Sequence, residues 1–190
     1  AGICTSEDSA HAWSNGVEGK YDFSLNFDGT DDYVEISSGH NFFQPDITIS
    51  MWIYPTSWTH QTHTALITSR SATTNGMMAF ILDQGNLNFD WGGADYRWDT
   101  GFQPPTNQWT HIILSRDSSG RYLYVNGELN NSTSNSGGTS FPDTIFRLGS
   151  DTFGTRYFYQ GLIDDVRIYS YPLNEDQIKL LYNRDASIRF

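Results

Sequence analysis

The chain has 190 residues, 37% of them hydrophobic and 15% aromatic, enough to bury a sizeable core and to exclude a disordered polymer. Its 22 acidic and 11 basic residues leave a net charge of −11, which argues against nucleic acid as a partner because phosphate neutralisation needs a basic surface. The acidic excess suits solubility, calcium or a neutral ligand. A lone cysteine, Cys4, excludes an intrachain disulfide and a multi-cysteine zinc site. The histidines His11, His40, His60, His63 and His111 lack HExxH spacing, so a histidine metal site is not expected. No run of 18 apolar residues occurs, so no membrane insertion is expected. Ala1–Tyr21 is polar and lacks the basic start and apolar stretch of a leader.

In chain order, the dominant signal is period-two alternation in short runs separated by Gly, Asn, Asp, Ser and Pro. Phe23, Leu25 and Phe27 alternate with polar neighbours, and Tyr33–Ile36 follows. Ile47–Tyr54 places Ile47, Ile49, Met51 and Ile53 on one face, with Thr48, Ser50, Trp52 and Tyr54 on the other. Further runs are Ala65–Ser69, Met77–Leu82, Asn86–Trp91, Trp109–Ser115, Arg121–Val125, Thr144–Gly149 and Gln160–Tyr169. Asn126-Gly127 predicts a tight hairpin, since both central turn positions need positive φ. Asn130–Ser140, rich in Asn, Ser, Thr and Gly, reads as an exposed loop carrying two overlapping glycosylation sequons, at Asn130 and Asn131. One helix is expected after Pro172: Asn174 caps it, Glu175 and Asp176 suit its first turn, and Ile178, Leu181 and Tyr182 recur at helical spacing. About ten closely spaced strands and one short C-terminal helix predict an all-β jelly-roll sandwich of two antiparallel sheets, a single domain over residues 1–190 in which residues 1–21 are the least specified.

Three stretches carry a family likeness: Leu25–Ile36 (LNFDGTDDYVEI), Ile47–Pro55 (ITISMWIYP) and Gly161–Ile178 (GLIDDVRIYSYPLNEDQI), with NQWTHII and LYVNG between them. The series resembles the laminin-G-like, pentraxin-related jelly-roll domains of the concanavalin-A-like lectin/glucanase superfamily, roughly from Phe23 to Tyr182. Such domains often begin with a strand followed by an Asn-Gly-rich loop. Trp13-Ser14-Asn15-Gly16 matches that loop, while the strand before it is unrecognisable.

Two acidic groups invite a cation. Asp28, Asp31 and Asp32 cluster in a Gly-containing turn, and Asp164 and Asp165 interrupt an apolar strand. Alternation puts Asp164 on the face of Leu162, Val166 and Ile168, where a carboxylate needs a calcium ion, backbone amides or an arginine as partner. The resemblance implies one structural calcium ion held by Asp28 and Asp164, with Asn26, Gly29 or Thr30 adding oxygens. The alternative is that Asp28 and Asp32 only shape the turn by accepting amide hydrogen bonds.

A sugar site needs aromatic faces and planar polar groups. The richest stretch is Asp90–Asp99 (DWGGADYRWD), where Trp91, Tyr96, Arg97 and Trp98 are the candidate contacts. Asp95 and Asp99 are expected to flank a turn. A second group, Arg156-Tyr157-Phe158-Tyr159, nominates Arg156 and Tyr159, and Trp58, His60, His63 and Arg70 form a weaker third. Arg97 and Arg156 suit a charged sugar substituent, because guanidinium grips carboxylate or sulfate with two prongs. Trp52 and Trp109 read as packing residues.

The superfamily that the chain resembles also holds glycoside hydrolases and lyases, yet no alternating E-x-D-x-x-E array is present. Glu7, Glu18, Glu35, Glu128 and Glu175 have no acidic partner on a strand face in an aromatic setting, and no G-x-S-x-G motif occurs. The reading is therefore a non-catalytic, lectin-like module that binds a polysaccharide or glycan, with a structural calcium, secreted or at a cell surface as part of a larger multidomain protein. An adhesion or protein-interaction module is the first alternative, and a glycoside hydrolase or polysaccharide lyase the second.

Overall fold

The computed structural model describes residues 19–36, 44–58, 63–71, 75–83, 85–92, 97–138, 145–152 and 156–183. Cys4, Trp13–Gly16, His60 and Tyr96 lie outside them. Twelve strands and one helix follow in order among the described residues: β1 (Leu25–Asp28), β2 (Val34–Ile36), β3 (Ile47–Pro55), β4 (His63–Ser71), β5 (Asn75–Asp83), β6 (Asn86–Trp91), β7 (Arg97–Asp99), β8 (Thr110–Asp117), β9 (Gly120–Val125), β10 (Glu128–Thr133), β11 (Phe146–Leu148), β12 (Gln160–Tyr169) and α1 (Glu175–Tyr182). They form two six-stranded antiparallel sheets. The first has the order β1-β12-β3-β8-β9-β10 and the second β2-β11-β4-β5-β6-β7. No described helix is long and apolar enough to cross a membrane.

Alternation explains the core. Ile47, Ile49, Met51 and Ile53 of β3, with Ile112 and Leu114 of β8, are fully buried against Leu87, Phe89 and Trp91 of β6 and Leu66 and Ile67 of β4. The opposite face of β3 and β8 is covered by α1, which buries Ile178 against Ile113, Tyr124 and Leu173. The expected Asn174 cap is present and is one half of a capping box: its side chain accepts from the Gln177 amide, and the Gln177 side chain accepts in return from the Asn174 amide. Trp52, His111 and Tyr182 stack beneath the helix, with centroids of Trp52 4.8 Å from His111 and 5.6 Å from Tyr182.

The expected Asn126-Gly127 hairpin joins β9 to β10, with φ of 50° and 83°. Asn130–Ser140, expected as a loop, begins instead as strand. β10 runs to Thr133, with a register shift between Leu129 and Asn131. Asn135 and Ser136 are then held from inside the sandwich, where Arg116 and Arg121 point between the sheets. Arg116 donates to the carbonyls of Pro45, Ser136 and Gly138. Arg121 donates to those of Asn135 and Phe89. Burial lowers the Arg121 pKa to about 10, with the nearby Asp90 charge opposing the shift. At this end Gly138 meets Gly92 so closely that a Cβ on Gly92 would lie 2.7 Å from the Gly138 Cα, which no side chain permits.

The last strand also departs from simple alternation. In β12 the register shifts between Asp164 and Arg167, and Asp165 adopts φ of 47°. This bulge exchanges the faces, as an extra residue in a strand must. Ile163, Val166 and Ile168 pack on the core, so Asp164 does not share a face with Val166 and Ile168.

Candidate functional site

The solvent side of the second sheet carries the concentration of paired charges. Registers align one row straight across all six strands: Glu35, Arg147, Thr68, Met78, Asp90 and Arg97. Each row member in β2, β11, β6 and β7 alternates with a core residue, Val34, Leu148, Phe89 and Trp98 among them. The members in these four strands therefore face away from the core, and at about 4.8 Å per strand the row spans about 24 Å.

The charges on this face occur as arginine–carboxylate pairs. Arg97 donates through Nε (3.1 Å) and Nη2 (3.2 Å) to the Asp90 carboxylate, a two-pronged grip. Asp90 is 3% exposed while the Arg97 side chain is 36% exposed. Burial pushes the Asp90 carboxyl above its ordinary pKa; the hydrogen bond from Arg97 opposes this most, followed by the charges of Arg97, Arg121 and His63. Arg147 donates to Glu35 (2.7 Å), lies over the Tyr33 ring and donates to the Asp151 carbonyl. The fully buried Asp151 carboxylate accepts from Arg156, whose side chain is 44% exposed. Arg156 in turn lies 4.6 Å over the Tyr157 ring, and Tyr157 packs on His63 with centroids 5.0 Å apart. Tyr157 holds φ of 61°, a left-handed conformation unusual for a non-glycine residue. A polar network thus runs from Glu35 through Arg147, Asp151 and Arg156 to Tyr157 and His63.

Of the expected ligand contacts, Arg97 and Arg156 lie on this face. Trp91, Trp98 and Tyr159 do not. They are 0%, 8% and 0% exposed and belong to the main core, because Trp91 alternates in β6 with the core residues Leu87 and Phe89, Trp98 is opposite Phe89 in register, and Tyr159 packs against Phe27 and Trp58. The segment expected as an aromatic loop with a turn at Asp99 is in part the edge strand β7. Sequence reasoning passed over Asp90, Asp151 and Glu35 as partners. The signal available for Asp90 and Glu35 was an acidic residue alternating with core positions of a strand; Asp151 lies outside the strands and carried none.

The calcium pair does not form. Asp28 is opposite Gln160 in register, and Asp164 lies four residues farther along β12, opposite Trp52. That is about 13 Å, whereas oxygens sharing one calcium sit within about 2.3–2.6 Å of it. Asp164, 9% exposed, is satisfied by backbone instead, accepting from the amides of Tyr21 and Asp165, each at 2.7 Å. Asn26 is exposed on the same outer face as Asp28, and Gly29 turns the chain with φ of 82°. The carboxylates of Asp28, Asp31 and Asp32 do converge, with one oxygen of each within 4.8 Å of the others. Asp28 Oδ1 accepts from the Thr30 and Asp31 amides, and Asp32 Oδ2 from the Asp28 amide. Beside the turn, packed on Gly29, the Gln160 side-chain oxygen is buried without a hydrogen-bond partner. This oxygen-rich turn can hold a hard cation. A depression of about 120 Å³ between α1 and β10, lined by Tyr124, Leu129 and Lys179 among others, is far from the paired charges and below the roughly 300 Å³ of ordinary ligand pockets.

The profile of the Concanavalin A-like lectin/glucanases superfamily matches residues 28–179. The chain belongs to this superfamily. Among solved structures, this concanavalin A-like chain is similar to domain 4 of AbnA, a GH43 extracellular arabinanase from Geobacillus stearothermophilus, determined in complex with arabinotriose. The identity is 23% and the TM-score 0.74, with 94% of this chain and 84% of that one covered. It is also similar to the receptor binding domain of botulinum neurotoxin D (16% identity, TM-score 0.72, 98% and 48% covered). The binding domain of Paraclostridial Mosquitocidal Protein 1 is a third (18%, 0.70, 93% and 46%). The chain spans about half the length of these two toxin domains. No curated protein matches it.

Proposed function

We propose that the chain is a non-catalytic carbohydrate-binding module, one domain of a larger secreted or surface protein, and that it takes a glycan on the solvent face of the second sheet. The observation that carries this reading is the set of arginine–carboxylate pairs there. Arg97 and Arg156 project from buried Asp90 and Asp151, so planar donors and acceptors stand pre-oriented for sugar hydroxyls. The superfamily includes lectins and glucanases, and the AbnA domain was determined with arabinotriose. Binding is favoured over hydrolysis because Glu35, Asp90 and Asp151 are each engaged by an arginine, whereas retaining hydrolysis pairs two carboxylates about 5–5.5 Å apart. A calcium ion, where bound, belongs at Asp28, Asp31 and Asp32, with Gln160 as a neutral ligand.

The test is a glycan array followed by titration of the best ligand. Combined Arg97→Ala and Arg156→Ala substitution is expected to weaken binding at least tenfold, about 1.4 kcal/mol. Undiminished binding by a folded double variant removes this face as the site. Capture of a protein ligand with no glycan bound favours an adhesion module.

A further inference from the structure

We propose that Tyr54 and Trp109, on the solvent side of the first sheet, form a stacking platform for the sugars of a single glycan chain; the inference rests on the carbohydrate-binding role proposed above and not on the face assigned to it there. In β3, Thr48, Ser50, Trp52 and Tyr54 alternate with the core residues Ile47, Ile49, Met51 and Ile53. The C-terminal segment covers this outer face from Thr48, which donates to the Tyr171 carbonyl, to Trp52, on which Tyr182 of α1 stacks. Lys20 and Tyr21 also meet Trp52. Tyr54, one step farther along the face, is only half-buried. Trp109, expected as a packing residue, is half-buried as well. It directly precedes Thr110, the register partner of Ile53, and its ring meets that of Tyr54 at 5.5 Å with an interplanar angle of 58°.

Among the described residues, neither ring packs on either core cluster. Two large aromatic side chains thus lean on one another at the surface, where a ligand can cover the apolar area they leave to water. Register extends the platform toward the sheet edge: Tyr54 is opposite Leu162, and Leu162 is opposite Asn26. Leu162, 8% exposed, adds an apolar floor, and exposed Asn26 adds a side-chain amide that both donates and accepts. From Asn26 to Trp109 the row spans about 14 Å, at about 4.8 Å between neighbouring strands. Aromatic faces beside a planar amide match a sugar, whose C–H face is apolar and whose hydroxyls donate and accept. Because the rings are tilted by 58°, no flat surface can lie on both. That tilt selects a single chain able to turn between them over the face of a crystalline polymer.

The chain is tested by affinity electrophoresis in gels containing arabinan, galactan, xylan or mixed-linkage glucan, and by pull-down on microcrystalline cellulose. Retardation by at least one dissolved polymer is expected. Trp109→Ala should weaken it about tenfold, through the lost stacking, and Asn26→Ala about threefold, through one lost hydrogen bond. Trp109→Leu keeps apolar bulk without the extended ring and should also weaken binding, so the test survives an alanine variant that fails to fold. Retardation that is lost in the combined Arg97→Ala and Arg156→Ala protein, yet unchanged in folded Trp109→Leu and Asn26→Ala proteins, overturns this inference and leaves the second-sheet face as the site. The converse pattern upholds the platform and removes that face. Losses in both sets uphold the platform as one of two glycan surfaces on opposite sides of the sandwich. Tighter binding to crystalline cellulose than to every dissolved polymer overturns the single-chain assignment. No retardation in any gel removes the binding role and this inference together.

Discussion

Acid should destabilise this fold through His111. The imidazole is 1% exposed, stacked on Trp52 and beside Tyr182, with Nε2 2.9 Å from the Ser50 hydroxyl. Burial holds its pKa down to about 4, and the charges of Arg167 and Lys20 push the same way. The unfolded chain protonates this histidine near its ordinary 6.5. Between pH 6.5 and 4 the unfolded state therefore binds more protons, and stability is lost as the pH falls through that window. Linkage for those two values gives a loss of about 2 kcal/mol at pH 5 and about 3 kcal/mol at pH 4. For a chain of this size, 2 kcal/mol corresponds to a melting shift of about 4–8 °C. Urea unfolding followed by tryptophan fluorescence at pH 7.5 and pH 5, on wild type and on His111→Gln, isolates the contribution. Wild type is expected to lose about 2 kcal/mol more than the variant over this interval. Parallel losses in the two proteins would refute the assignment.

Ile178→Ala empties the only fully buried position of α1 and should cost about 2–4 kcal/mol, read as a drop in urea midpoint. Arg121→Met leaves the Asn135 and Phe89 carbonyls without their donor; a loss of about 1–3 kcal/mol for each stranded acceptor is expected in the same assay. Calcium at about a hundred times its dissociation constant should stabilise the wild type by about 2.7 kcal/mol, seen as a higher melting temperature. The rise should persist in Asp164→Asn and disappear in Asp28→Asn and Asp32→Asn. A rise that depends on Asp164 but not on Asp32 contradicts the register.

Most of the sandwich is legible in the chain because burial imposes a period of two. β3 and β12 were expected with nearly their observed bounds, and the Asn174 cap and the Asn126-Gly127 hairpin follow from local chemistry alone. The misreadings come from what alternation does not encode. A bulge at Asp165 reverses which residues of β12 face inward, so alternation alone puts Asp164 among the wrong neighbours. Trp91 and Trp98 invite a surface role by their chemistry, but Phe89 and Trp98 are opposite one another in register and point to the core. Arg97 and Arg156 were recognisable by type. Their carboxylate partners were not, since Asp90 meets Arg97 only through the pairing of β6 with β7 and Asp151 lies outside the strands.

The hairpin ending in β10 has a consequence for crowded settings. A strand at the rim of a sheet exposes half a ladder that a second chain can continue. Here the rim is interrupted at Asn130, its sequence ELNNST is polar apart from Leu129, and Asn131 reaches over to donate to the Thr100 carbonyl beyond β7. Copies gathered densely on one polymer would thus meet along a seam that is already broken and fastened to its own second sheet. Such neighbours should remain separate folded units instead of zipping into shared sheet.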